Sequence, residues 1–265
     1  MKFSIARILL SRTVLVAAVS ALVLLCIPLV QAAVPKDVIK VQPSGKKVLL
    51  TATRAALTMP LANRLEALEQ QGEQGYRNLV AIMFDDSVPM AIRWRAVTLV
   101  GRIGRRQSFP ELERALIHQD WFMRNAGLVA LAHIDRSRAI AWARKLISDR
   151  ALVVRAAAVQ TLGDLRDTAS IPLLWQKLNA KENFHNNQSL FVRRRIVEAL
   201  TILQRSGDEG KFVSLLTDRD QSLHPLAIMA LENITRSSLG TSKDPLALKR
   251  ERWQSWWRDQ TQAKM

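Results

Sequence analysis

The chain has little of several residue types, and each shortage excludes a class of protein. Its one cysteine, Cys26, excludes an internal disulfide framework and a cysteine-rich zinc site. Ten glycines and nine prolines among 265 residues exclude a collagen-like or linker-dominated architecture. Aromatic residues make up only 6%, so side chains for base stacking are sparse. Acidic residues are also scarce, because 23 Asp and Glu stand against 39 Lys and Arg.

The remaining composition is that of a folded, basic protein. Hydrophobic residues make up 48% and charged residues 23%, which is typical of a chain that buries a core rather than of a disordered one. A length of 265 residues corresponds to one or two domains. The formal charge of +16 bears on partners and solubility, and it does not specify a fold.

The N-terminus has the pattern of an export signal. Lys2, Arg7 and Arg12 precede an uncharged run over residues 13–35, and Ala32 closes a short segment that a signal peptidase accepts. We therefore predict a signal peptide over residues 1–32. The uncharged run is also long enough to span a bilayer, so an uncleaved anchor over residues 13–35 is the alternative. Under both readings we expect a periplasmic or otherwise exported protein, anchored in the inner membrane if the segment is retained.

A repeat organises the rest of the sequence. Its marker is a basic residue directly after an apolar one, at Arg93, Arg124, Arg155, Arg193 and His224. The spacings are 31, 31, 38 and 31 residues. A second marker at Pro110, Ala141, Pro172 and Gly210 has the same period and the same displaced step. Two registers with one period indicate structural repeats.

Each unit is predicted to contain two helices. Apolar residues follow helical spacing on both, for example Ile171, Leu174 and Leu178 on one helix and Val154, Ala158 and Leu162 on the other. An aspartate precedes the second helix of several units, where we expect it to cap free N–H groups: Asp86, Asp120, Asp149 and Asp218.

The repeats divide the chain into four regions. The signal or anchor is followed by an N-terminal arm over residues 33–58, in which residues 38–51 form either a short hairpin or an ordered arm. The repeat array is predicted over residues 59–242, and a capping helix with its tail over 243–265. Terminal repeats need a cover for their apolar end, and we expect three tryptophans to supply it: Trp253, Trp256 and Trp257.

The pattern Val-Arg-x-x-Ala-x-x-x-Leu-Gly, as in residues 154–163, resembles that of short HEAT-like repeats, a type also found in phycobilin lyases. The resemblance covers about residues 76–236. It implies an all-α fold, a right-handed α-solenoid of about five helix pairs. The terminal glycine of the pattern is present at Gly101 and Gly163 and absent from the other units, and His224 replaces the marker arginine in the last unit.

The sequence contains no motif for catalysis. The four histidines have no repeated pairing with cysteine, and Gly45-Lys46 lacks the preceding glycine of a phosphate-binding loop. His118 and Asp120 superficially suggest paired metal ligands, but a structural role is favoured. No catalytic residue of a lyase can be matched, and export argues against a cytoplasmic chromophore enzyme. We therefore predict no enzyme activity, no cofactor and no metal site.

Arginine is the unusual chemical resource of the chain. Stacked repeats are expected to align Arg93, Arg124, Arg155 and Arg193 as a ladder. Either each pairs with a neighbouring aspartate, as Asp149 precedes Arg155 and Asp120 precedes Arg124, or the ladder belongs to a basic surface. Further cations have no evident partner in the sequence and are candidates for partner binding: Arg95, Arg102, Arg105, Arg106, Arg194 and Arg195.

The spacing of 38 residues between Arg155 and Arg193 exceeds the repeat period of 31 by seven residues, which we place in the polar segment 181–189. Insertions in repeats map to loops on one face, often the binding face. We expect a projecting loop with Phe184 at its tip, as a further candidate for partner binding, or else a surface insertion without a role. Deletion of residues 183–189 restores the period and is expected to leave folding intact.

The sequence thus favours a non-enzymatic protein-interaction scaffold of the bacterial envelope, which binds a protein partner through the solenoid surface. The alternative is a peripheral binder of anionic envelope surfaces such as lipid headgroups, lipopolysaccharide or wall polymer. Nucleic-acid binding and a lyase-like activity rank lower, because an exported protein rarely meets nucleic acid and no lyase residue is matched.

Overall fold

A computed structural model describes residues 45–263. The predicted signal or anchor, and the first part of the predicted arm, therefore lie outside the described residues. Within them the chain is built almost entirely of helices, with one two-stranded hairpin. The helices run in this order: α1 Gly45–Ala56, α2 Leu61–Glu69, α3 Gly72–Met83, α4 Met90–Gly104, α5 Phe109–Leu116, α6 Trp121–Ile134, α7 Arg136–Leu146, α8 Leu152–Asp164, α9 Ile171–Leu178, α10 Phe191–Leu203, α11 Glu209–Leu215, α12 His224–Thr235 and α13 Leu246–Gln262.

Five helix pairs, from α3–α4 to α11–α12, follow one another along the chain. The second helices α4, α6, α8, α10 and α12 each pack on the next in that order, and each also packs on the first helix of its own pair. The buried apolar side chains form one continuous core along this stack. This is the all-α solenoid that the repeat predicts, since no single pair can bury its apolar face alone.

Close contact between neighbouring second helices explains one of the repeat glycines. Gly101 does not end its helix, which continues to Gly104. A Cβ atom at Gly101 would lie 2.9 Å from the Cβ of Ala130 on the next second helix. Glycine therefore permits the two helix backbones to approach, which is a packing role rather than a terminating one.

The N-terminal part of the described chain is helical, so the hairpin expected over residues 38–51 is wrong for residues 45–51. Helix α1 packs on α3, and Ala56 and Leu57 are fully buried against the repeat core. Leu50, Thr53 and Leu57 are spaced as one helical stripe, and this stripe is the part of the segment that turns inward.

The C-terminal helix α13 packs on both helices of the last pair. Trp253 is 1% exposed, and its ring meets that of Trp256 edge to face at 5.3 Å between centroids. Trp256 and Trp257 are half-buried against the same core. Arg250 Nε also donates a hydrogen bond of 2.9 Å to the carbonyl of Leu216. The Trp-rich helix therefore covers the apolar end of the last repeat.

The seven-residue insertion forms a small hairpin between α9 and α10. Strands β1 (Phe184–His185) and β2 (Gln188–Ser189) pair antiparallel, with Phe184 opposite Ser189. Asn186 and Asn187 both have positive φ angles, 47° and 61°. Asparagine tolerates this conformation better than most residues, and two such residues in a row are typical of a tight hairpin turn.

Among residues 45–263, no helix is both long enough and apolar enough to cross a membrane.

Candidate partner-binding surfaces

The ladder arginines are buried and link one repeat to the next. The best example is Arg124, whose Nε and Nη2 each donate to a carboxylate oxygen of Asp149 at 2.7 Å. Both side chains are only 7% exposed. The third nitrogen, Nη1, donates to the carbonyls of His118 and Gln119 within its own repeat. A bidentate, charge-assisted pair of this kind fixes both groups in one geometry.

The same direction of pairing recurs along the array. Arg193 Nη2 lies 2.6 Å from a carboxylate oxygen of Asp218 in the following repeat. Arg93 Nη1 reaches Asp120 of the following repeat at 3.4 Å, as well as Asp86 of its own at 2.9 Å. The expected pairing of ladder arginines with neighbouring aspartates is therefore confirmed for Arg93, Arg124 and Arg193, but the partner of Arg124 is Asp149 rather than the expected Asp120.

These aspartates also have a different local role from the one expected. Asp149 and Asp218 accept hydrogen bonds from backbone N–H groups two residues later, at Ala151 and Asp220, and so close turns ahead of the helix. Asp120 sits at the start of α6 without a side-chain cap. Burial alone would raise the pKa of Asp149 and Asp218, but their hydrogen bonds and the charge of the bound arginine outweigh it and lower both pKa values.

Arg155 is the exception, because the insertion follows it. Its Nε donates to Asn183 Oδ1 at 3.0 Å, and its remaining nitrogens donate to the carbonyls of Asp149, Arg150 and Glu182. No carboxylate directly contacts its guanidinium among the described residues. Desolvation by burial accordingly lowers the pKa of Arg155 despite the nearby charges of Glu182 and Asp149.

Asn183 itself is buried and also donates to the carbonyl of Lys177. Deletion of residues 183–189 would remove this partner of Arg155, so we expect it to destabilise the fold rather than to leave folding unaffected. The repeat period could not have revealed Asn183, because it lies at the start of the insertion, where the register of the repeat is lost.

The last repeat explains why its marker is a histidine. His224 is buried, and its Nε2 lies 2.9 Å from the carbonyl oxygen of Asp218, six residues earlier. Arg124 and Arg155 make the same contact within their repeats, to residues His118 and Asp149. His224 therefore keeps the internal bond of the ladder, and within residues 45–263 its side chain makes no hydrogen bond to a later part of the chain.

Asp86, His118 and Asp120 place one ligand atom each within 4.8 Å of one another, a spacing compatible with a metal ion. The group already contains a cation, since Arg93 Nη1 contacts both carboxylates. The Nδ1 of His118 accepts the backbone N–H of Asp120 at 3.1 Å. We therefore interpret the group as part of the arginine ladder.

A second feature, which we call the apolar row, lies at the start of the second helices. It consists of side chains that are 40–47% exposed, one for each of four successive helices: Met90, Trp121, Val153 and Phe191. All belong to the first two residues of their helix, and the helices stack side by side in the same direction. The row therefore follows one edge of the array. Its period of 31–38 residues was present in the sequence and was the signal that would have revealed it.

The candidates on the fourth repeat are already engaged. The guanidinium of Arg193 stacks 4.6 Å above the ring of Phe184, which is half-buried and lies at the base of the hairpin. The tip expected for Phe184 is instead formed by Asn186 and Asn187. Arg194 and Arg195 both pair with Glu198, at 3.0 and 2.8 Å.

The candidates on the first repeat differ from one another. Arg95 donates to the carbonyl of Leu57 at 3.0 Å and so ties α4 to the end of α1. The side chains of Arg102, Arg105 and Arg106 are exposed and make no hydrogen bond or ion pair within residues 45–263. These three line an open cavity of about 710 Å³ together with His133 and Ile134.

Comparison with known proteins agrees with the fold. A family profile described as HEAT repeats matches residues 126–185. No curated protein matches the sequence. Among solved structures, the chain is similar to an engineered protein at 18% identity and a TM-score of 0.46, with 72% of this chain and 90% of the other covered. It is also similar to the complex of CpcE and CpcF of phycocyanin lyase from Nostoc sp. PCC7120 at 16% identity and a TM-score of 0.38, with 85% and 99% covered. The chain therefore contains HEAT-like helical repeats, as its sequence predicts.

Proposed function

We propose that the protein is a non-enzymatic interaction scaffold of the bacterial envelope, which holds a protein partner against the solenoid. HEAT repeats generally mediate protein–protein interaction, and extended arrays present long binding surfaces. The location follows from the export pattern of residues 1–32, and the scaffold role from the repeats.

The apolar row is the observation that carries the proposal. Monomeric proteins bury most large apolar side chains, and exposed ones that align along one edge are typical of interaction sites. Trp121 and Phe191 are the residue types that dominate binding energy at protein interfaces.

Photo-crosslinking from single positions tests this proposal. The full-length chain would carry a photoreactive residue at Trp121 or Phe191, and crosslinking would be performed in intact cells. We expect the same protein adduct from both positions, because both belong to one surface. Arg166 and Arg236, at the opposite ends of second helices, serve as exposed control positions.

A second pair of variants tests whether the contact is energetically important. Trp121→Ser and Phe191→Ser, separately, are expected to weaken capture of that protein at least about tenfold, which is the loss of 1.4 kcal/mol or more that interface anchors show. Equal adducts from the control positions, or unchanged capture by both variants, would contradict the proposal.

A further inference from the structure

The cavity that contains Arg102, Arg105, Arg106 and His133, which we call the arginine cluster, lies at the opposite end of the second helices from the apolar row. Arg102 belongs to the last turn of α4, and the other two arginines follow it in a short 3-10 turn over Arg105–Ser108. His133 reaches the cavity from the end of α6. Four nitrogen-rich side chains from two repeats therefore face one open volume.

The backbone around the arginine cluster is fixed by packing. A Cβ atom at Gly104 would lie 2.4 Å from the ring of Tyr76, so only glycine permits the close contact at this point. Ser108 Oγ donates to the carbonyl of Arg105, which itself has a φ angle of 46°. A non-glycine residue in this region is uncommon and persists only where its surroundings impose it.

Carboxylates near the arginine cluster are engaged elsewhere. Glu111 accepts the hydroxyl of Tyr76 at 3.3 Å, and burial together with this carboxylate raises the pKa of Tyr76 to about 12. Glu113 pairs with Arg138 at 2.7 Å. Asp135 accepts the backbone N–H of Arg138 at the start of α7. None of the three arginine side chains forms an ion pair with these or other carboxylates within residues 45–263.

The helix dipole of α4 explains the position of only one of the three arginines. A cation in the last turn of a helix is favoured by the free carbonyl groups there, which explains Arg102. Arg105 and Arg106 lie beyond the helix end. The corresponding ends of α8 and α12 carry single exposed arginines, Arg166 and Arg236, with similar positive φ angles of 50° and 54°. The first repeat differs from these two because three arginines lie at the end of its second helix.

We propose that the arginine cluster is a binding site for a phosphate-bearing anionic group. Guanidinium groups match phosphate oxygens with paired, parallel hydrogen bonds, and several of them around one open cavity suit a group with more than one negative charge. The site is on a different edge from the apolar row, so it does not depend on the proposed scaffold function.

Titration of the full-length chain with inorganic pyrophosphate tests the chemistry. The variant Arg102→Gln/Arg105→Gln/Arg106→Gln is compared with Arg166→Gln/Arg219→Gln/Arg236→Gln, which removes the same charge from exposed arginines elsewhere. We expect calorimetric affinity to fall about tenfold or more in the first variant, as for the loss of charge-assisted hydrogen bonds, and to change less than about twofold in the second. Equal losses in both variants, or no binding to the unmodified chain at low salt, would overturn the proposal.

Vesicle capture identifies the source of the phosphate. Phosphatidylcholine vesicles with and without about one fifth phosphatidate present the group as a lipid headgroup. The N-terminal segment is common to all variants, so differences between them report on the arginine cluster. If the first variant loses both pyrophosphate and the phosphatidate-dependent capture, the ligand is a headgroup. If it loses pyrophosphate alone, the ligand is a soluble phosphate compound.

Discussion

Arg124 shows how a single side chain can belong to two repeats. Its guanidinium is held by carbonyls of its own repeat and by Asp149 of the next, and almost none of it meets solvent. Removal of one member of such a pair leaves the other buried without compensation, and this costs more than the pair itself contributes.

We therefore expect Arg124→Gln to lower the free energy of unfolding by about 3 kcal/mol, measured by urea denaturation. Arg166→Gln replaces an exposed arginine with no ion pair in the described chain, and is expected to change it by less than about 0.5 kcal/mol. Similar small effects of both substitutions would show that the ladder does not stabilise the array.

The same contacts predict a dependence on acid. Asp149 and Asp218 have lowered pKa values in the folded chain, so their ionised forms contribute stability that is fully present above about pH 4, the unfolded value. This contribution is lost as the pH falls through the folded pKa values. The free energy of unfolding should therefore decrease with acidification below about pH 4, and Asp149→Asn should make the decrease smaller. An unchanged slope in Asp149→Asn, with exposed Glu251→Gln as control, would contradict the assignment.

For single residues, the sequence predicted the positions of the marker arginines better than it predicted their hydrogen-bond partners. The period of the marker arginines is visible in the sequence, because burial in equivalent places selects equivalent residues. Their partners depend on the distance between neighbouring repeats, which a spacing along one chain does not contain. The apolar row was visible in the same period, but an exposed side chain is recognised only when its exposure is known.

Among the elements, the insertion contains one residue with a structural role, Asn183, and a hairpin over residues 184–189 that the fold needs less. Leu190 N donates to the carbonyl of Asn183 at 3.0 Å, so the two ends of the hairpin already lie together. Deletion of residues 184–189 can therefore be closed with a small shift. It removes the stacking of Arg193 on Phe184 and is expected to cost about 1–2 kcal/mol.

Asn183→Ala is the matched comparison and is expected to cost more, about 3 kcal/mol, because it leaves Arg155 Nε and the carbonyl of Lys177 buried without this partner. Urea denaturation of both variants measures the difference. A greater loss from the six-residue deletion than from Asn183→Ala would show that the hairpin, and not Asn183, supports the repeat.

The C-terminal helix provides a second test among the elements. Trp253 is fully buried against the last pair, so Trp253→Ala should lower the free energy of unfolding by about 3–5 kcal/mol. Trp256 is only half-buried, and Trp256→Ala should have a smaller effect. Thermal unfolding monitored by circular dichroism compares the two. If Trp253→Ala unfolds at the same temperature as the unmodified chain, α13 does not stabilise the array.

The two ends of the array differ in how far the sequence predicted them. The tryptophans of α13 form a clear pattern, and their burial follows from the need to cover an apolar end. Helix α1 was less evident, because Lys46 and Lys47 precede a run of only three apolar residues, which fits a strand as well as a helix. A longer window that includes Thr53 and Leu57 has helical spacing, and packing on α3 selects that alternative.

For the whole molecule, the location of the chain is the most accessible expectation to test. A reporter that is active only in the periplasm, fused after Met265, should be active in the full-length chain and inactive when residues 1–32 are deleted. Sequencing of the N-terminus of the exported product would then distinguish a cleaved signal from a retained anchor. An inactive reporter on the full-length chain, or equal activity with and without residues 1–32, would contradict export through this segment.

The direction of the ladder has a consequence for how the chain is made. Synthesis proceeds from the N-terminus, so the ribosome delivers each arginine before the acceptor in the next unit that receives it. A nascent chain that stops between two units holds a cation whose counterpart is still untranslated. His224, which bonds only within its own unit, ends this dependence. Each unit before the last can therefore complete its ladder contacts only when the next unit is present, and a chain interrupted between units is left with an unpaired cation at its edge.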